Sequence, residues 1–160
     1  MDIFEYAIKM ETDGEAYYRE LAGRTKNKGL KSILTMLAEE EVRHRNVITA
    51  MKAEQPELPD SSLLSEAKNI FSEMKGSGEK IASGLGQAGL YEKAQDLEQK
   101  SREFYLEKAR RVEEEDQKTI FLKLAEEENR HCFLLESIIE FVSRPENWLE
   151  NAEFNHLDEY

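Results

Sequence analysis

Apolar residues recur at helical intervals through residues 2–25, at Ile3, Phe4, Ala7, Ile8, Tyr17, Tyr18 and Leu21, with polar residues between them. That period predicts an amphipathic helix. The segment Arg24-Thr-Lys-Asn-Lys-Gly29 interrupts the pattern, and Ile33, Leu34, Leu37, Ala38, Val47, Ile48 and Met51 carry it on through residues 30–53. So short a break makes the two helices antiparallel neighbours. The second half repeats the arrangement, with helices near 87–112 and 116–143 around Glu113-Glu-Glu-Asp116. Between the hairpins, Gln55-Pro-Glu-Leu-Pro-Asp-Ser-Ser62 reads as a turn-rich linker in which Asp60 or Ser61 caps a helix across 62–75. Gly76, Gly78, Gly84 and Gly86 then loosen the chain. A connection of this length can run the height of a bundle, at about 1.5 Å per helical residue.

The expected fold is therefore all-α: an antiparallel four-helix bundle over residues 1–143, made of two repeated helical hairpins. The repeats span residues 2–51 and 89–138, and the one long crossover, 52–86, contains the short helix. A tail, 144–160, carries Trp148, Phe154 and Tyr160 among acids and is expected to pack on the bundle or on a partner subunit.

The repeat is also written in the polar residues. Glu11 is followed seven residues on by Tyr18 and thirty on by Glu41, which opens a Glu-Val-Arg-His step ending at His44. In the second half Glu98, Tyr105, Glu128 and His131 stand at the same spacing, each 87 residues from its twin. Sliding 2–51 onto 89–138 gives 16 identities in 50 positions, where unrelated chains of ordinary composition would give roughly three.

In an antiparallel hairpin, residues equidistant from the turn lie at one level. The midpoint of Glu11 and Glu41 is position 26, and that of Glu98 and Glu128 is position 113, both inside the turns. Seven residues is nearly two helical turns, so Tyr18 shares a face with Glu11 and Tyr105 with Glu98. Three residues place His44 beside Glu41 and His131 beside Glu128. Four Glu and two His would then meet between helices, which is the ligand set of a pair of iron-like ions. Without cations, four buried carboxylates would repel one another at heavy desolvation cost. Oxygen-rich ligation with one imidazole per metal suits iron or manganese, and zinc could occupy the site by affinity. Tyr18 and Tyr105 suit donors that fix the carboxylates.

Rival readings are set against this one. A lone Glu-x-x-His is weak in so acidic a chain, and Glu-Glu-Glu before Arg-His alone would be a solvated face. Glu15 fails as a ligand because its twin is Arg102, while Glu5 and Glu92 point about a third of a turn away. Glu20, Glu39, Arg43, Glu107, Glu126 and Arg130 are expected to face outward. Phe4, Tyr6, Tyr17 and Phe104 read as packing, His156 as a surface histidine, and Cys132 as an inert small hydrophobe.

Composition narrows the class further. The net charge of −12 disfavours nucleic acid and anionic membrane surfaces as partners. One cysteine excludes an internal disulfide and suits a reducing cytoplasm. No early apolar run resembles a signal peptide and no stretch reaches a membrane span, so a soluble cytoplasmic protein is expected.

The strings Glu11-x6-Tyr18, Leu37-Ala-Glu-Glu-Glu-x-Arg-His44, Glu98-x6-Tyr105 and Leu124-Ala-Glu-Glu-Glu-x-Arg-His131 resemble the di-iron domain of rubrerythrins, in the ferritin-like superfamily. The resemblance covers residues 2 to about 140. It implies two iron ions held by Glu11, Glu41, His44, Glu98, Glu128 and His131 in a ferritin-like bundle, usually dimeric. It also implies a cytoplasmic oxidoreductase, a peroxidase that reduces hydrogen peroxide, or dioxygen, at the di-iron centre. Rubrerythrins commonly carry a rubredoxin domain, for which one Cys is too few, so electrons are expected from a separate rubredoxin-like donor. The family's frequent seventh carboxylate falls here on Ser101, whose twin is Gly14. The remaining six ligands resemble ferroxidase centres of bacterioferritin-like proteins. The alternative expectation is thus a ferroxidase that binds and sequesters iron without peroxidase turnover.

Overall fold

A computed structural model of the protein describes residues 2–52, 61–77 and 88–144. Helix α1 (Ile3–Arg24) begins at Asp2, whose carboxylate accepts the Glu5 N–H at 2.8 Å and so satisfies one of the helix's unpaired first-turn donors. Helix α2 (Lys28–Lys52) begins after only three residues, because the Asn27 side chain accepts the Leu30 N–H at 2.8 Å. Lys28 and Gly29, expected in the turn, therefore lie inside α2. Helix α3 (Leu63–Ser77) lies in the crossover, and α4 (Ala88–Arg111) and α5 (Glu115–Ser143) form the second hairpin. Every element among the described residues is helical, and none of these helices is long and apolar enough to cross a membrane. The tail with Trp148, Phe154, His156 and Tyr160, and the glycines at 78, 84 and 86, lie outside the described residues.

The hairpins dock with α1 beside α4 and α2 beside α5. The Tyr17 hydroxyl donates to the Leu90 carbonyl at 2.7 Å, and the Tyr6 ring meets Phe104 at 5.0 Å, so α1 and α4 run antiparallel. Helix α3 packs on α2 and brings Phe71 to 5.8 Å from Phe141.

Two apolar clusters fill the interior. One gathers Tyr18, Leu21, Leu34, Leu37, Ala94, Leu134 and Ile138 with Phe71 from α3. The other gathers Ala7, Val47, Ile48, Tyr105, Phe121 and Leu124. In each long helix a gap separates the two: after Ala7 in α1, after Ala38 in α2, after Ala94 in α4 and after Ala125 in α5. Glu11, Glu41, His44, Glu98, Glu128 and His131 fall in those gaps, so a polar layer crosses the bundle between two dry ones.

Candidate metal centre

The six side chains come from four helices: Glu11 from α1, Glu41 and His44 from α2, Glu98 from α4, and Glu128 and His131 from α5. None is more than 4% exposed. Two overlapping sets emerge, Glu11, Glu41, His44 and Glu128, and Glu41, Glu98, Glu128 and His131; in each, one donor atom per residue lies within 4.8 Å of all the others. Glu41 and Glu128 belong to both sets. Such a cluster has two ends, Glu11 with His44 and Glu98 with His131, joined by two shared carboxylates.

The imidazoles lie parallel, 5.5 Å apart and 5° from coplanar orientation, with Nδ1 turned toward the carboxylates. His44 Nδ1 is 3.5 Å from Glu11 Oε1 and 2.9 Å from Glu128 Oε1. His131 Nδ1 is 3.3 Å from Glu98 Oε2 and 3.8 Å from Glu41 Oε1. Proximity here is not satisfaction. His44 Nδ1, Glu11 Oε2, Glu98 Oε2 and both Glu128 oxygens are buried without a hydrogen-bond partner, so even the 2.9 Å approach is not aligned as a hydrogen bond. Five orphaned donor atoms around one point are costly in a dry interior. Two divalent cations would satisfy them and balance four carboxylates, so these residues fit a metal pair.

Electrostatics of the metal-free cluster agree. Burial disfavours the His44 cation, yet Glu11 and Glu127 outweigh it and raise its pKa to about 10. Burial, with repulsion from Glu11 and Glu98, pushes Glu41 well above the carboxylate range. For Glu11 the burial penalty is overcome by the His44 charge and by hydrogen bonds from its neighbours, which hold its pKa below the usual value.

The tyrosines reach across the repeat rather than along it. The Tyr18 hydroxyl donates to Glu98 Oε1 at 2.5 Å, and the Tyr105 hydroxyl donates to Glu11 Oε1. Burial first, then the adjacent carboxylates, raise both phenols well above 10, so both stay protonated donors. Spacing gave the face on which each tyrosine lies; the partner depends on α1 lying against α4.

Two further carboxylates escaped the reading of the sequence. Glu127 Oε1 lies 2.8 Å from His44 Nε2, and Glu40 Oε2 lies 4.0 Å from His131 Nε2. The outer nitrogen of each imidazole thus faces a glutamate of the other repeat, at hydrogen-bond distance for His44 and beyond it for His131. Arg43 joins them, donating to Glu40 at 2.7 Å and to Glu127, while the Ser61 hydroxyl donates to Glu40 at 2.6 Å. Arg43 and Arg130 are half-buried rather than outward; Arg43 lies where α2 meets α5, between Glu40 and Glu127. A signal existed: Glu40 and Glu127 are twins and sit four residues before their repeat's histidine, on its face. The triple Glu run hid it. Glu15, set aside as a ligand, pairs with Arg19 at 2.7 Å and Arg45 at 2.9 Å. Tyr6, expected to pack, is 51% exposed. Cys132 is buried and its thiol is pushed up to about 12, chiefly by that burial.

Fold and site together define a ferritin-like helical bundle with a buried carboxylate–histidine cluster between its hairpins. The sequence matches the Rubrerythrin family over residues 2–139, and the chain belongs to that family of ferritin-like di-iron proteins. Among solved structures, Hypothetical Protein Pfu-1136390-001 from Pyrococcus furiosus is similar, with TM-score 0.67 and 23% identity over 88% of each chain. That likeness speaks for the fold alone. No curated protein matches the chain.

Proposed function

We propose that Glu11, Glu41, His44, Glu98, Glu128 and His131 hold two iron ions, and that the chain is an oxidoreductase reducing hydrogen peroxide, or dioxygen, with electrons from a separate donor protein. The observation that supports this most is the pair of overlapping four-residue sets sharing Glu41 and Glu128, with their orphaned buried atoms. Two ferrous ions side by side supply one electron each, the pair that cleavage of an O–O bond consumes.

The chain's own residues supply the rest. His44 presents Nδ1 inward with Glu127 at hydrogen-bond distance behind it, and His131 does so with Glu40 farther off. Tyr18 and Tyr105 hold Glu98 and Glu11 in one orientation as neutral donors. The apolar clusters close the polar layer from above and below. The net charge of −12 draws cations toward the chain. A homodimer in a reducing cytoplasm completes the reading, its lone thiol held protonated by burial.

Anaerobic stopped-flow tests it. Diferrous protein mixed with hydrogen peroxide should lose two electrons rapidly and recover repeatedly with a reductant. A second reading, iron oxidation and sequestration, draws on Ser101 standing where the family often has a seventh carboxylate. Retention of many more than two irons per chain in a large assembly would favour it.

A further inference from the structure

A cavity of about 200 Å³ lies between α1 and α4. Its inner end reaches Glu41, Glu98 and Tyr18, all buried, and its outer end reaches Asp13 and Lys100, both exposed. It therefore joins solvent to the polar layer. Gly14 lines its inner end: a Cβ there would lie 3.1 Å from Glu41 Oε2, tight enough to press that carboxylate to give by a few tenths of an ångström. Ser101, the twin of Gly14, lines the cavity from the α4 side.

The walls farther out are apolar: Met10, Tyr17, Leu97 and Phe104. Of the three large hydrophobic side chains exposed among the described residues, Tyr6 and Leu97 border this cavity; the third, Leu122, does not. A water occupies ~30 Å³ and a dry cavity of about 150 Å³ admits benzene. Hydrogen peroxide, about two water oxygens in size, would leave most of the space empty. A molecule with a peroxide end and an apolar group of phenyl size would fill it, its polar end beside the orphaned Glu98 oxygen and its apolar end on Leu97 and Phe104.

We propose that this cavity is a subsite for the apolar group of an organic hydroperoxide, a substrate class that rests on the peroxide-reducing reading above and narrows it. The O–O bond of ROOH breaks on gaining two electrons from the reduced centre and two protons from solvent. One oxygen leaves as the alcohol ROH and the other as water, and a separate one-electron donor restores the centre.

The test uses the full chain in two measurements. In the first, zinc-loaded protein is titrated with cumyl alcohol, the product of cumene hydroperoxide, and followed by amide NMR. Saturable shifts are expected at Gly14, Leu97 and Ser101, lost in Leu97→Trp and retained in Leu122→Ala. In the second, diferrous protein meets cumene hydroperoxide or hydrogen peroxide without air. Leu97→Trp should lower the ratio of the first rate to the second by about tenfold or more. Absence of a saturable shift overturns the proposal, whether the mouth is simply closed or is covered by a second copy. So does protein that hydrogen peroxide oxidises and cumene hydroperoxide does not; the peroxide-reducing reading survives both results. Alcohol binding with no oxidation by either peroxide overturns that reading, and leaves the cavity a ligand site without the proposed substrate.

Discussion

Glu127→Gln and Glu40→Gln, measured side by side, test whether the imidazoles are held from behind. The Glu127 carboxylate lies 2.8 Å from His44 Nε2, within hydrogen-bond reach, whereas Glu40 lies 4.0 Å from His131 Nε2, outside it. Both glutamates also accept from Arg43, and Glu40 from Ser61 as well, contacts that a glutamine oxygen can keep. Partners behind a ligating histidine change metal affinity about 10- to 100-fold, or ~1.4–2.7 kcal/mol. Glu127→Gln should fall in that range, and Glu40→Gln should lose less than about tenfold. Competition titration with Fe(II) against a coloured chelator, without air, reads the affinities, and circular dichroism melts check the fold. Equal losses in the two variants, or wild-type affinity in Glu127→Gln, would refute the reasoning.

Glu41→Ala or Glu128→Ala removes a residue common to both four-residue sets and should abolish binding of both ions, while Glu11→Ala or Glu98→Ala should leave one; metal content per chain decides. Tyr18→Phe leaves the buried Glu98 Oε1 with only the long 3.4 Å approach of His131 Nδ1 and should cost the metal-free chain about 1–3 kcal/mol, read as a fall in Tm; an unchanged Tm would show the bond to be worthless. Folded His44 titrates near 10 against an ordinary 6.5, so its stabilisation is complete below 6.5 and is lost as pH climbs to about 10. Glu41, raised by burial, acts in the same direction from lower pH, whereas the lowered Glu11 matters only in acid. The metal-free Tm should therefore fall between pH 6.5 and 10, and the increment on loading metal should grow over that range, since ligation displaces protons; a metal-free Tm that rises there contradicts the assignment.

The helices were legible because apolar period and short turns are local properties, and the levels of the clustered glutamates because antiparallel geometry makes position a matter of counting from the turn. Sequence spacing thus placed Glu11 against Glu41 and Glu98 against Glu128 before any packing was known. What stayed hidden depends on which hairpin faces lie together. Tyr18 serves Glu98, not a carboxylate of its own hairpin, only because α1 lies against α4. Arg43 is half-buried only because α2 meets α5 and brings Glu127 to it. The turn before α2 was overestimated because the polar stretch Lys26-Asn-Lys28 looks like a loop, while Asn27 in it is a cap. The cavity between α1 and α4 was illegible, since a missing side chain at Gly14 announces nothing until the opposing carboxylate is in place.

Duplication explains why the cluster has the form it does. One hairpin offers two glutamates and a histidine, three donors where each four-residue set needs four. The missing donor comes from the other hairpin in both cases, and it is always the glutamate next to the histidine, Glu128 for the first set and Glu41 for the second. Four contacts around the cluster cross in the same way: Tyr18 to Glu98, Tyr105 to Glu11, Glu127 to His44, Glu40 toward His131. The apolar clusters above and below are non-directional and would tolerate a range of dockings. A slip of one helical turn, about 5.4 Å, would break all these crossed contacts together. The polar layer therefore fixes the register of the two hairpins, and the same contacts that fix it complete the two four-residue sets, so the cluster exists only in the docked bundle.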